Sequence, residues 1–291
     1  MILAFDIGGS RIRAGLWDGT TLRPAGEAAT PASDLAAFAA TIGGLAKNSG
    51  ARGLALSIAG VVDPATGIGK VANIPAIDGL ALAPVLQAAT SLPALVLNDA
   101  DCFALAEAGQ GAGRGHGTVF GIILGTGVGG GLVIDGRLVT GAGGFAGEWG
   151  HGPVIRGEYA LPCGCGQVGC LDVIGGARGL ERLHRMRSGN GLTSEQIIAG
   201  WHGKDAEACA TMALWRDLVS GPLAMVLNVV GADCVPVGGG LSRAAGLVGY
   251  LDEALRARIL RASPGALAVP AQCGADAGLL GAALAGAVAW A

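Results

Sequence analysis

Ile2-Leu3-Ala4-Phe5-Asp6-Ile7-Gly8-Gly9-Ser10-Arg11-Ile12-Arg13-Ala14-Gly15-Leu16-Trp17-Asp18-Gly19 decides the fold. The apolar run 2–5 reads as a buried strand, the glycine pair turns the chain, and the alternating residues 11–17 read as a second strand running back. Asp18-Gly19 is a hairpin signal that introduces a third strand, because such turns need backbone conformations that Asp and Gly tolerate. The same grammar returns in mid-chain, with an apolar run over 119–124, then Gly125-Thr126-Gly127, a run over 131–134, Asp135-Gly136 and a run over 137–140. Two meanders, each entered through a glycine turn, predict a duplicated architecture of two lobes. Helical spacing predicts helices over 34–47, 99–109, 176–187 and 206–230, and buried strands are expected over 54–58, 94–97 and 234–237. Helices alternating with strands predict an α/β fold with mixed sheets.

Composition narrows the class. Of 291 residues, 54 are glycine, 51% are hydrophobic and only 14% are Asp, Glu, Lys or Arg. Apolar surface on that scale can offset the entropy of ordering, so disorder is excluded. The glycines follow no G-X-Y period, which excludes collagen. Nineteen basic and 22 acidic residues give a net charge of −3, so there is no electrostatic case for nucleic acid. Mean hydropathy of +0.54 invites a membrane reading. However, the uncharged run 79–98 contains Pro84 and Pro93 and the run 115–134 is rich in glycine, so neither reads as a spanning helix. The N-terminus meets Asp6 with no basic segment before it, so no signal peptide is expected and the protein is read as cytoplasmic. Seven cysteines, an odd number in a reducing compartment, argue against a disulfide framework.

Three constellations carry chemistry. Glycine turns let a polyphosphate approach backbone N–H groups without Cβ obstruction. Asp6-Ile7-Gly8-Gly9-Ser10 and Gly125-Thr126-Gly127 therefore read as two cradles gripping one nucleotide's phosphates in a cleft between the lobes. An ordinary tight hairpin is the alternative for either turn alone. Gly125, Gly127 and Gly130 match the spacing of a dinucleotide fingerprint, but a strand follows where a helix must open. Gly69-Lys70 lacks the Ser or Thr of a P-loop. At Asn98-Asp99, where a strand meets a helix, Asn98 would hold a substrate hydroxyl and Asp99 would accept its proton. The bland reading of Asp99 is a helix N-cap. Cys163-Gly164-Cys165 with Cys170, and His151 upstream, supply three thiolates and an imidazole, a donor set for a closed, structural, tetrahedral zinc site.

Taken in order, Asp6-Ile7-Gly8-Gly9-Ser10, Leu97-Asn98-Asp99-Ala100, Leu124 to Gly131, Gly147-Glu148-Trp149-Gly150-His151, the cysteine knuckle, Val237-Gly238-Gly239-Gly240-Leu241-Ser242 and Asp276-Ala277-Gly278 resemble the ROK family of bacterial sugar kinases over essentially the whole chain. The resemblance implies an actin-like, ribonuclease H-like, hexokinase-type two-lobe fold with a structural zinc knuckle. Residues 1–115 would form the N-terminal lobe and 116–291 the C-terminal lobe, the last helix being able to pack back on the first. It implies ATP, magnesium and zinc as cofactors. Asp6, Gly8, Gly9, Ser10, Gly125, Thr126 and Gly127 would take the ATP phosphates, and Gly238, Gly239 and Gly240 the adenosine.

By the same resemblance Asp99 is the catalytic base and Gly60, Asn73, Asn98, Glu148, His151 and Asp172 bind sugar. His151 would serve the metal with one ring nitrogen and the sugar with the other. At 172 the family usually has a sugar-binding Glu, and this chain has Asp172, with the carboxylate kept and its reach shortened. The segments 98–105 and 123–131 are most similar to bacterial N-acetylglucosamine kinases, and residues 276–284 resemble N-acetylmannosamine kinases as closely. The expected reaction is ATP-dependent phosphorylation of the 6-hydroxyl of N-acetylglucosamine or a related hexose. N-acetylmannosamine, glucose and fructose are the alternative acceptors, and a non-catalytic sugar-binding regulator is the alternative of another class. A small-molecule sugar is the expected partner, with no nucleic acid or membrane, and the family resemblance favours a homodimer.

Overall fold

The computed structural model describes all 291 residues. The chain opens with strands β1 (Ile2–Ile7), β2 (Arg11–Trp17) and β3 (Leu22–Ala29), followed by helix α1 (Leu35–Ala46) and strand β4 (Leu54–Ile58). A short hairpin of β5 (Val61–Val62) and β6 (Gly69–Lys70), helix α2 (Leu82–Thr90), strand β7 (Ala94–Asn98) and helix α3 (Asp99–Gln110) complete this part. The sheet order is β3-β2-β1-β4-β7. β1 pairs antiparallel with β2, in register Asp6↔Arg13, and parallel with β4, while β4 pairs parallel with β7.

Strand alternation sorts β1 cleanly. Leu3, Phe5 and Ile7 join Phe38 and Ile42 of α1 and Leu86 of α2 in one core cluster. Each such fully buried side chain contributes about 1.5–3 kcal/mol. The intervening side chains point to the other face, so Asp6 emerges where the helix at the end of the chain begins.

The second half repeats the plan. β8 (Thr118–Leu124), β9 (Val128–Ile134) and β10 (Arg137–Val139) are followed by α4 (Asp172–Gly175), α5 (Ala177–Ser188), α6 (Ser194–His202) and α7 (Ala206–Val230). Then come β11 (Val235–Gly238), α8 (Leu247–Arg256), β12 (Ala268–Pro270) and α9 (Ala277–Ala289). The order β10-β9-β8-β11-β12 reproduces the first sheet's pattern of a meander followed by two parallel additions. Helix α7 is long and apolar enough to cross a membrane by composition, yet it buries Met212, Trp215, Val219, Leu223 and Leu227 inside the protein, as a core helix does.

The chain divides into two compact units, the first comprising Met1–Arg114, Gly131–Ala146 and Cys273–Ala291, the second Gly115–Gly130 and Gly147–Gln272. This differs from a single cut after residue 115 in giving 131–146 to the first unit, while 273–291 carries the last helix, which the family resemblance allows to pack back on the first lobe. Gly131 lies so close to α3 that a Cβ there would sit 2.8 Å from the Ala100 carbonyl oxygen. At the other end of the chain, α9 crosses α3 where a Cβ on Gly281 would be 1.7 Å from the Cys102 carbonyl oxygen. Strand β9 also starts earlier than the apolar run suggests, its glycines making room for neighbouring side chains and helices.

Candidate active site

In the first unit the site is built at the ends of β1 and β7. The first glycine loop closes with the Gly8 amide donating to the Arg11 carbonyl at 2.9 Å, and Thr30 Oγ1 donates to the Gly8 carbonyl at 2.7 Å. Asp6, at the base of the loop, accepts from Arg13 at 2.7 Å, and Arg13 also reaches Asp276 at 2.9 Å. Arg13 is a neighbour of the loop that the sequence reading missed. Its cross-strand position opposite Asp6 was a usable signal once the hairpin register is known. Asn73 packs on the loop, its carbonyl oxygen 3.3 Å from where a Gly9 Cβ would stand.

The β7–α3 junction resolves the roles of Asn98 and Asp99. Asn98, not Asp99, is the N-cap, its Oδ1 accepting from the amides of Ala100 at 2.7 Å and Asp101 at 3.1 Å. Its Nδ2 donates to the Gly60 carbonyl at 3.0 Å, so Asn98 and Gly60 come together. Asp99 is the first helical residue, half-buried, with Oδ1 also accepting from the Ala100 amide at 2.9 Å. The cap is thus supplied by the residue before it, and the bland reading of Asp99 as the cap does not hold.

In the second unit the loop 125–127 joins β8 to β9 and is held by other segments. The amides of Ala177 and Arg178, opening α5, donate to the carbonyls of Gly125 at 2.8 Å and Thr126 at 3.3 Å. Gly239, with φ of 91°, packs its backbone on Leu124 and Gly125, so the glycines after β11 and the loop adjoin. A cavity of about 750 Å³ opens beside them, lined by Gly125, Thr126, Glu195, His202, Gly240 and Arg243. Glu195 and His202 escaped the sequence reading because they lie on α6 with no motif around them, and Arg243 because it stands just beyond the 237–242 motif.

Glu148 and His151 follow a segment fixed by Trp149, whose ring nitrogen donates to the Gly129 carbonyl at 2.8 Å. Glu148 Oε2 lies 3.8 Å from His151 Nε2. Burial pushes the Glu148 carboxyl above the ordinary range, against the pull of His151 and with Asp172 adding to the rise. The other ring nitrogen of His151, Nδ1, is 3.7 Å from Cys163 Sγ, and Cys165 Sγ is 3.5 Å from Cys170 Sγ. All four donor atoms fall within 4.8 Å of one another. Zinc–sulfur bonds of about 2.3 Å in a tetrahedron put sulfurs roughly 3.8 Å apart, so the donors present fit one such ion. The backbone amide of Gln167 holds the Cys165 thiol at about 7, while burial pushes Cys163 to about 11. Asp172 stands apart from the expected sugar contacts in one respect: its Oδ1 accepts from the Val128 amide at 2.8 Å.

The ROK family profile matches residues 2–287. The chain is 34% identical over 274 residues to the N-acetyl-D-glucosamine kinase of Salmonella newport, an alignment covering 89% of this chain and 90% of that protein. Its fold is similar to that of a ROK hexokinase from Thermus thermophilus, with TM-score 0.84, 30% identity and coverage of 97% and 96% of the two chains. A ROK glucokinase from Streptomyces griseus, solved with glucose and AMPPNP, matches with TM-score 0.77 and 27% identity over 97% of each chain.

Proposed function

The chain belongs to the ROK family and is a sugar kinase, and we propose that it transfers the γ-phosphoryl group of ATP to the 6-hydroxyl of N-acetyl-D-glucosamine. The observation that carries this reading is the β7–α3 junction. Asn98 satisfies the helix N-terminus, and Asp99 stands beside it at the first helical position. There the Asp99 carboxylate takes the proton of the 6-hydroxyl as that oxygen attacks the γ-phosphorus and the bond to the leaving oxygen of ADP breaks.

The loops Gly8-Gly9-Ser10 and Gly125-Thr126-Gly127 present backbone amides to the phosphates, where fixed donors stabilise developing charge without reorganising. The adenosine takes the cavity beside Gly238-Gly239-Gly240. Asn98, Glu148 and His151 bind the sugar, with Gly60 and Asn73 as further contacts. Magnesium would neutralise the charge of the phosphates, with Asp6 as the carboxylate nearest the first loop to hold it. Zinc would be held by His151 Nδ1, Cys163, Cys165 and Cys170, and this leaves Nε2 of the same ring for the sugar. The support for that division is that Nδ1 faces Cys163 while Nε2 faces Glu148. The family resemblance is the ground on which we place the enzyme in the cytoplasm as a homodimer.

The test is an ADP-release assay with a panel of N-acetylglucosamine, N-acetylmannosamine, glucose, fructose and allose. The reading expects the highest kcat/KM on N-acetylglucosamine and a 6-phosphate product. Preference for another member by tenfold or more would reassign the acceptor, and no turnover on any would remove the kinase reading for this set.

A further inference from the structure

Asp172 sits where the family's sugar-binding Glu is expected, but its carboxylate faces another task. Oδ1 accepts from the Val128 amide, the first residue of β9, at 2.8 Å. A Cβ on Gly127 would stand 2.3 Å from that same oxygen, so the carboxylate is pressed against the loop backbone. The Asp172 amide in turn donates to the Gly150 carbonyl at 2.9 Å, which fixes the residue that carries the carboxylate. Val128 is buried, so removing its acceptor would leave an unsatisfied N–H away from water, a costly state.

A shorter side chain explains the assignment. With one methylene fewer than Glu, the Asp carboxylate stays close to its own backbone, and the nearest donor there is the Val128 amide. We propose that Asp172 is a positioning residue for the second phosphate loop, and that it sets affinity for the ATP phosphates rather than for the sugar. The inference rests on the kinase reading for its use of ATP.

Steady-state kinetics on the full chain test it, with ATP varied at saturating N-acetylglucosamine and the sugar varied at saturating ATP. Asp172→Ala deletes the acceptor and should raise the KM for ATP by about tenfold, the loss expected for one hydrogen bond to a charged group, while the sugar KM stays within twofold. Asp172→Asn keeps an acceptor oxygen of the same reach and should restore most of the ATP affinity. If the Ala variant folds poorly, Asp172→Glu serves instead. Its carboxylate cannot keep the tight seat beside Gly127, so the ATP KM should again rise with the sugar KM no higher than in the parent. A sugar KM that rises as much as the ATP KM in either variant overturns the inference. The two failures separate: a parent protein that phosphorylates no sugar in the kinetic assay sinks the kinase reading, whereas undiminished ADP affinity of Asp172→Ala in a calorimetric titration sinks this one.

Discussion

The two glycine loops occupy equivalent places in duplicated sheets, yet they are held in different ways. The first is supported by its own hairpin: Gly8 bonds to Arg11, Thr30 of the adjoining strand segment bonds to Gly8, and the loop brings its own carboxylate in Asp6, paired with Arg13 across the ladder. The second closes with a turn bond of its own, the Gly125 amide donating to the Gly127 carbonyl at 3.0 Å, but it has no carboxylate at the matching position, where Ile123 stands, and takes further support from residues 172–178. That segment follows directly on Cys170, the last donor of the metal cluster. Two loops in equivalent places thus differ in their support, one local and one drawing on a distant segment beside the cluster of His151, Cys163, Cys165 and Cys170.

Removing the metal should break the comparison most visibly. Structural zinc contributes on the order of 10–16 kcal/mol in small domains. Chelation should therefore abolish activity, lower Tm and raise amide exchange over residues 125–129 and 147–178, while residues 2–30 keep their protection. Equal loss of protection in both loops would show that their support does not differ. Adding a methyl group to each loop comes next. Gly127→Ala meets Asp172 Oδ1 at 2.3 Å and should cut kcat/KM for ATP by 10-fold or more, on the order of 1.4 kcal/mol per decade. Gly8→Ala finds only the Arg11 carbonyl oxygen at 3.6 Å and should leave Tm unchanged. Thermal melts and ATP titrations of the two variants check this.

The smallest effect concerns pH. Burial raises the Glu148 carboxyl in the folded state, so between its ordinary value near 4.3 and its raised value the folded protein binds more protons than the unfolded chain. Stability from this group falls as pH rises through that window, and the cost persists at neutral pH. Glu148→Gln should therefore melt slightly higher than the parent at pH 7 and lose that advantage at pH 4, while weakening sugar binding. A Tm difference independent of pH would contradict the shift.

The same contrast explains what was legible in the sequence. Both meanders, the first loop and the long helix Ala206–Val230 follow from alternation, turn residues and helical period, which are local signals. The cluster of Cys163, Cys165 and Cys170 also announces itself, because thiol spacing on a tight knuckle is local. Helix α2 is masked by Pro84, which sits in its first turn where a missing amide costs nothing. Arg13 on Asp6, the assignment of residues 131–146 to the first unit and the turn of Asp172 toward Val128 depend on packing between segments far apart in the chain. No pattern within either segment encodes them. Asp172 is the clearest case: its identity signalled a departure from the family, but only its neighbours reveal which group it serves.

The most direct test of the central claim is phosphorus NMR of the products formed from ATP and N-acetylglucosamine by the parent and by Asp99→Asn. The account expects sugar 6-phosphate from the parent. It expects a loss of about 10²–10⁴ in kcat for the variant, the range for removing a general base, with Tm and sugar affinity largely kept. A variant that turns over at near the parent rate would contradict it.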